Sequence, residues 1–227
     1  MATSCFNICD LGKVGYEDAL KRQEDLLRQR MTGEVGDTLL ILEHLPVVTL
    51  GRLADEKGVF DPDYFNANGI PVIRTSRGGD VTCHVPGQLV IYPIVDLRAR
   101  GKRISGYIDL LEDMVCCSLE ELKVPASRID GKRGVWVHGK KIAFIGIAVK
   151  RWVTYHGIAV NISNDITPFS HMHPCGEKEI SVTSAEECLG EDLDMGRVKK
   201  IFIEHFISGL GETLSEEETL TAGERWM

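Results

Sequence analysis

The sequence predicts an α+β fold: a mixed, largely antiparallel β-sheet flanked by helices. Three observations predict it. The stretches 16–31 and 104–122 place apolar residues every three to four positions, the spacing that gathers them on one helix face. The stretch 134–163 alternates β-rich segments with tight turns, the pattern of a meander whose neighbouring strands run antiparallel. The chain has 227 residues, 43% of them hydrophobic, and shows no internal repeat, linker or low-complexity tract. One domain over 1–227 with a sizeable core is therefore expected.

Taken in order, "YEDALKRQEDLLRQRM" puts Ala19, Leu20, Gln23, Leu26, Leu27 and Met31 near one face of a helix, with charges on the other. "DTLLILEH" and "VVTLGR" read as two strands joined at the Leu45–Pro46 bend, and "IPVIRTS" as a third, ended by Gly78 and Gly79. "QLVIYPIVDL" is almost continuously apolar, as expected of a strand covered on both faces. The helix over 104–122 aligns Tyr107, Leu110, Leu111, Met114, Val115 and Leu119. Its neighbours Cys116 and Cys117 diverge by about 100° around the axis, so they pack rather than share a metal. Turns at His138–Gly139 and Lys150–Arg151 divide 134–163 into three strands. Thr183 or Ser184 followed by Glu186 or Glu187 forms a capping-box signal. "MGRVKKIFIEHFISGLGETL" reads as a last amphipathic helix, and the acidic tail from about 215 is expected to fray.

Composition narrows the function. A net charge of −8 argues against nucleic acid as the default partner. The charge is uneven: 74–151 holds fourteen Lys/Arg against eight Asp/Glu, and 176–227 holds five against thirteen. The basic stretch reads either as a solvated face or as a patch that steers an acidic partner. The seven cysteines are odd in number and contain no C-x-x-C, which favours reduced thiols over a disulfide framework. "MATSCFNICDLG" lacks the regions of a secretory signal, and no apolar run approaches the ~20 residues of a membrane span. A cytoplasmic protein is expected, with a mitochondrial matrix or plastid as the alternative for a processed eukaryotic chain.

Three stretches carry possible chemistry. In "RTSRGGDVTCHVPGQLVIYP", Gly78 and Gly79 can turn backbone N–H groups toward an anion or carbonyl, with Arg77 and His84 nearby; a plain glycine hairpin with a structural histidine is the alternative. In "GKKIAFIGIAVKRWVTYHG", Lys141 opens an apolar strand, so its amine can lie at the edge of a dry pocket and exchange protons. Otherwise it is an exposed turn lysine beside Lys140, and His156 is a satisfied core histidine. In "NDITPFSHMHPCGEKEISVTS", Cys175 stands between Pro174 and Gly176. It can be an apolar filler, a zinc ligand with His171 and His173, or a nucleophile. The zinc reading lacks a second ligand cluster with standard spacing. The nucleophile reading needs a nearby cation or helix N-terminus to stabilise a thiolate.

Together, "RGGDVTCHVPGQLVIYPIVDLR", "GKKIAFIGIAVKRWVTYHGIAVNI" and "PFSHMHPCG" resemble the lipoyl(octanoyl) transferases, the octanoyltransferases of lipoate biosynthesis. Order and spacing agree from about Asp37 to Thr183. The resemblance implies a biotin/lipoate protein ligase-like fold and transfer of an octanoyl group from acyl carrier protein to a lysine of a lipoyl domain. Acceptors would be the 2-oxoacid dehydrogenase E2 subunits and the glycine cleavage H protein. No cofactor or metal is implied beyond the phosphopantetheine that arrives on the carrier. Cys175 matches the cysteine that takes the acyl group as a thioester, and Lys141 the lysine that acts as acid and base beside it. Arg77, Gly78, Gly79 and His84, then Gly146, then His156, Gly157 and Asn161, match segments that line the substrate site.

Two positions depart from the family pattern. Val85 replaces a glycine, which would be costly if that position required a positive φ. Cys83 replaces an aromatic residue and sets a second thiol beside the expected pocket as a competitor. Two other functions stay open: an ATP-dependent lipoate or biotin ligase of the same superfamily, and a non-catalytic carrier-protein-binding relative. Against the ligase, no G-R-G-R-x-G run occurs, and "LGR" at Leu50–Arg52 is too short to replace it.

Overall fold

The computed structural model describes residues 6–55, 58–173, 180–211 and the backbone of 219–220. Its elements in chain order are β1 (Asn7–Val14), α1 (Tyr16–Thr32), β2 (Thr38–His44), β3 (Val47–Leu50), α2 (Pro62–Ala67), β4 (Val72–Arg74), β5 (Val81–His84), β6 (Gln88–Ile94), α3 (Ile104–Glu121), β7 (Ser127–Ile129), β8 (Lys132–Val137), β9 (Lys140–Lys150), β10 (Val153–Asn161), a 3₁₀ turn (Thr167–His171), α4 (Ala185–Leu189), α5 (Met195–Gly209) and β11 (Thr219–Leu220). A large sheet has the order β11-β1-β2-β6-β10-β9-β8-β7, and a small one the order β4-β3-β5.

The predicted α+β class and mixed sheet are what the structure shows. β2, β6, β10, β9, β8 and β7 pair antiparallel along the large sheet. The parallel pairs are β1 with β2, across the α1 crossover, β1 with β11, and β3 with β4.

Strand alternation explains the layers. Leu39 and Ile41 of β2 and Leu89 and Ile91 of β6 point to the face covered by α3 and α5, against Leu111, Val115, Phe202 and Phe206. Leu40 and Leu42 of β2 and Val90 and Tyr92 of β6 point the other way, toward Ala19, Leu26 and Leu27 of α1. Both faces of the central strands are thus covered, which is why "QLVIYPI" shows no polar alternation. A third apolar cluster lies under the small sheet, where Val48, Leu50, Val81 and Cys83 meet Phe65, Phe144, Phe169 and Met172.

Several elements differ from expectation. β1, α2, β5 and β7 were not predicted: β1 is mostly half-buried and interrupted by Gly12 and Lys13, β5 lies within the glycine-rich stretch, and β7 is three residues long. Only Val72–Arg74 of "IPVIRTS" forms a strand. The last helix ends at Gly209 rather than continuing toward Leu214, and Gly211, at φ 79°, stops it in the left-handed region. The expected capping box is present in altered form. The Ser184 hydroxyl accepts from the Glu187 N–H, and the Glu187 carboxylate reaches the Thr183 hydroxyl. Of the tail expected to fray, Thr219 and Leu220 pair with Ile8 and Cys9 of β1.

Phe202 joins α5 to the α3 face of the sheet and has no exposed surface. Phe202→Ala is expected to lower the unfolding free energy by about 3–5 kcal/mol, the range for a deleted core aromatic. Chemical denaturation measures it, and a loss below about 1 kcal/mol would contradict the packing described.

Candidate active site

The residues singled out in the glycine-rich stretch build one wall of a cleft between the two sheets. Arg77 is buried and folds the turn that carries it. Its guanidinium donates to the carbonyls of Thr49 and Asp80 at 2.6 Å each and to that of Gly78 at 3.0 Å, and its Nε donates to the Thr49 hydroxyl. The turn then lies on β9, where the Gly78 N–H donates to the Ile147 carbonyl at 2.9 Å. A Cβ on Gly146 would stand 2.8 Å from the Gly78 carbonyl oxygen, so only glycine admits this approach. The cleft is lined by Arg77, Gly79, Val81, Thr82 and His84 on one side and Phe144, Gly146, His156, Gly157 and Ile158 on the other. Gly78 stands behind this wall.

Two buried imidazoles, His84 and His156, line the cleft, and a third, His44, packs against Tyr16, His84 and Tyr92. The Gln88 amide donates to the Cys83 carbonyl and to Asn161 Oδ1, which leaves its oxygen to accept from His84 Nδ1 at 2.8 Å. His84 Nε2, 3.5 Å from the Thr49 hydroxyl, is then the bare nitrogen. His44 follows the same logic: Nδ1 donates to the Val14 carbonyl, and Nε2 accepts from the Tyr92 hydroxyl at 2.7 Å. His156 adopts a left-handed backbone at φ 55° within β10, a conformation that costs energy for a non-glycine residue and clusters at functional sites. Gln23 of α1 accepts its N–H at 2.7 Å. Its Nε2 meets the Ser76 hydroxyl at 3.0 Å, and among the described residues its Nδ1 has no partner. His44, Tyr16, Tyr92 and Gln88 are not among the site residues expected from the sequence, and Gln23 is expected there only as part of a helix face. The one visible signal was polar residues inside otherwise apolar runs.

Burial disfavours a charged imidazole here. It lowers His44 to about 4 and, with the Arg77 charge adding to it, His156 to about 3. His84 is held well below its ordinary value by burial first and by His44 next. All three are neutral at physiological pH.

Lys141 is buried, not an exposed turn residue; the exposed neighbour is Lys140, which pairs with Glu187 at 3.1 Å. A register shift between β8 and β9 places one extra residue on β9 next to Lys141, a bulge of the kind that re-aims side chains. The ammonium donates to the Arg133 carbonyl at 2.8 Å and lies 5.1 and 5.2 Å from the ring centres of Trp136 and Phe144. Gly134, at φ 105°, makes the space: a Cβ there would lie 2.6 Å from Lys141 Cε.

Cys175 lies outside the described residues, as do its neighbours from 174 to 179. Both flanks of that segment are described. Upstream, Met172 is buried with Phe144 and Phe169, the His173 N–H donates to the Gly58 carbonyl, and the His173 ring rests on Phe60. Downstream, Val182 pairs with Lys141 as a parallel bridge. The Lys141 N–H donates to the Ser181 carbonyl at 2.8 Å, and the Thr183 N–H donates to the Lys141 carbonyl at 3.0 Å. Asn161 does not line the cleft; its amide donates to the Thr183 carbonyl and its oxygen accepts from Gln88. A continuous chain of hydrogen bonds thus runs from His84 through Gln88, Asn161 and Thr183 to the Lys141 main chain.

Other expectations change. Cys83 is fully buried, and burial pushes its thiol up to about 12, so it is no nucleophilic competitor. Val85 has no positive φ; its side chain joins the apolar cluster with Phe144, and Gly87 takes the left-handed position instead, at φ 88°. His171 Nδ1 donates to the Asp61 carboxylate at 2.8 Å, and its ring stacks on Tyr64. Among the described residues, no three His, Cys, Asp or Glu side chains could hold a metal ion, and no helix is long and apolar enough to cross a membrane. The basic excess of 74–151 is partly engaged within the fold: Arg77 holds carbonyls, Arg100 binds Asp37, and Arg128 and Arg133 bind carboxylates of α3.

Histidines held below their ordinary value of about 6.5 bind fewer protons folded than unfolded. Their contribution to stability is complete above about pH 6.5 and is lost as pH falls toward about 4. Imidazole NMR resonances of His44 and His156 are expected to keep their neutral positions down to pH 5, while thermal stability declines below 6.5. A midpoint above pH 6 for either ring would contradict the burial.

Comparison with known proteins identifies the family and the fold. Residues 15–207 match the family model for the lipoyl protein ligase A/B catalytic domain. The octanoyltransferase of Geobacter metallireducens is 42% identical over 212 residues, covering 93% of this chain and 97% of that protein. That of Caldicellulosiruptor bescii is 44% identical over 192 residues, covering 83% and 84%. Among solved structures, a lipoate-protein ligase A bound with ATP superposes with a TM-score of 0.74 at 19% identity, covering 97% of this chain and 90% of that one. The biotin protein ligase of Aquifex aeolicus superposes with a TM-score of 0.53 at 15% identity, covering 92% and 70%. At those identities the structures speak for the fold, which is the biotin/lipoate protein ligase type expected. By its family match and its sequence relatives, the chain belongs to the lipoyl protein ligase A/B catalytic domain family and, within it, to the octanoyltransferases.

Proposed function

We propose that the protein moves an octanoyl group from acyl carrier protein to a lysine of a lipoyl domain through a thioester on Cys175, with Lys141 as the acid and base. The observation that carries this reading is the fastening of the segment after Cys175 onto the Lys141 main chain, beside a cleft walled by Phe144, Val81 and Ile158. Ser181 lies six positions after Cys175, and an extended chain spans at most ~3.3–3.6 Å per residue. That bound of roughly 20 Å supports, without locating the thiol, a cysteine that works beside Lys141.

The chemistry divides into two transfers. In the first, the neutral amine form of Lys141 takes the Cys175 proton and becomes the ammonium, the thiolate attacks the octanoyl thioester, and the carrier's phosphopantetheine thiolate leaves and takes that proton back from Lys141. In the second, the amine of the acceptor lysine attacks the Cys175 thioester, Lys141 accepts a proton from it, and the cysteine thiolate is expelled. Exchange between thioesters is nearly isoenergetic and amide formation from a thioester is downhill, so no ATP enters. No metal or cofactor is assigned to the protein itself. The eight-carbon chain takes the apolar side of the cleft, each buried CH₂ contributing about 0.8 kcal/mol. Acceptors of this chemistry are lipoyl domains, those of the 2-oxoacid dehydrogenase E2 subunits and the glycine cleavage H protein, and the expected setting is a reducing, cytoplasm-like compartment.

Incubation with octanoyl-carrier protein and no acceptor is expected to leave an octanoyl adduct on the Cys175 peptide, read by mass spectrometry. Cys175→Ala should abolish transfer, and Lys141→Met should slow it by ~10²–10⁴-fold, the usual worth of positioned acid–base catalysis. Full activity in Cys175→Ala with no adduct, or ATP-dependent attachment of the free acid, would overturn the reading.

A further inference from the structure

The peptide group between Arg133 and Gly134 is held from both sides. Its carbonyl accepts from the Lys141 ammonium at 2.8 Å, and its N–H donates to Glu112 Oε1 at 2.8 Å. Glu112 lies on α3, outside every motif that marks the site, yet its side chain is only 2% exposed. A buried carboxylate survives only where partners replace its water. Its second oxygen has them in Arg128 Nε of β7 at 3.1 Å and Arg133 Nη1 of β8 at 3.4 Å. Asp109 and Asp113, on the same helix, share those two guanidiniums from the solvent side.

We propose that Glu112 is a positioning residue for Lys141, acting through the Arg133–Gly134 peptide. The inference rests on the reading of Lys141 as the acid and base. Two physical effects support it. An anion on the N–H side of a peptide polarises it and strengthens its carbonyl as an acceptor, and hydrogen bonds in series reinforce one another in a buried setting. The same contact fixes the β8 backbone at the one residue whose missing side chain makes room for Lys141 Cε. Glu112 therefore sets both where the ammonium rests and how firmly its oxygen partner holds it. Arg128 and Arg133 neutralise the carboxylate from the other side, so that the charge felt across the peptide is a balance among Glu112, Asp109, Asp113 and the two arginines.

The test compares Glu112→Gln, Glu112→Ala and Lys141→Met in steady-state octanoyl transfer between octanoyl-carrier protein and a lipoyl domain, across pH. Glu112→Gln keeps an oxygen for the Gly134 N–H but removes the charge. It is expected to lower kcat by about 10-fold with KM unchanged, and to move the half-maximal pH of the rate downward, as follows when an anion is removed from beyond the peptide. Glu112→Ala is expected to lose about 100-fold, the scale on which small misplacements act. On a Lys141→Met background, neither substitution should cost anything more. If Lys141→Met is fully active, the acid–base reading fails. If Lys141→Met is impaired while Glu112→Gln keeps the wild-type kcat and pH profile, the acid–base reading stands and this inference falls. Glu112→Gln decides alone should Glu112→Ala not fold.

Discussion

Two main-chain hydrogen bonds at Lys141, one to Ser181 and one from Thr183, are the constraint on which the rest of the site depends. They join parts of the chain about forty residues apart in sequence, and they hold Ser181–Thr183 alongside the start of β9 as a parallel bridge. Around them the fold adds support in layers. Asn161 of β10 binds the Thr183 carbonyl, Gln88 of β6 binds Asn161, and His84 of β5 is oriented by Gln88. Each of these groups is buried, and each would carry a desolvation cost were its partner removed. The network therefore specifies one arrangement of the two sheets and the post-cysteine strand rather than a family of similar ones.

Legibility of the sequence followed periodicity. α1, α3 and the β8–β10 meander repeat at 3.6 or 2 residues over long stretches, and they stand where the pattern put them. β1 and β5 did not announce themselves, because "NICDLGKV" mixes polar residues with a glycine and "VTCH" is only four residues long. The glycine positions of the motifs were readable as places of close approach, and Gly146 against Gly78 is such a place. The roles of polar residues were less readable. Asn161 matched a motif for substrate contact, yet it braces the strand behind the cleft. Glu112 sits between Leu111 and Asp113 on a helix whose other charges face solvent, and nothing in one-dimensional spacing separates it from Asp113. Its burial arises from the β7–β8 hairpin folding over it, a contact that only the tertiary structure creates.

The departures from the family pattern are resolved by where the chain bends. Val85 and Cys83 both point into the apolar cluster shared by the small sheet, Phe144 and Phe169, so a β-branched side chain and a small thiol serve as filling there. The conformational demand for glycine falls two residues later, at Gly87, whose N–H is held by the buried carboxylate of Glu43. At Gly87 a side chain has no room as well as a strained backbone, since a Cβ there would lie 2.8 Å from the Asn164 nitrogen.

The cleft has its floor in one sheet and its roof in another. β6, β9 and β10 of the large sheet supply Tyr92, Phe144 and Ile158, while the Arg77 turn and β5 of the small sheet supply the opposing surface. The seam between them is bridged by few main-chain bonds, that of Gly78 to Ile147 among them. A binding space of this construction can change its height without any strand changing partners. On the proposed reading, residues of the small sheet would then set how long a fatty chain fits, independently of Lys141 on the large one.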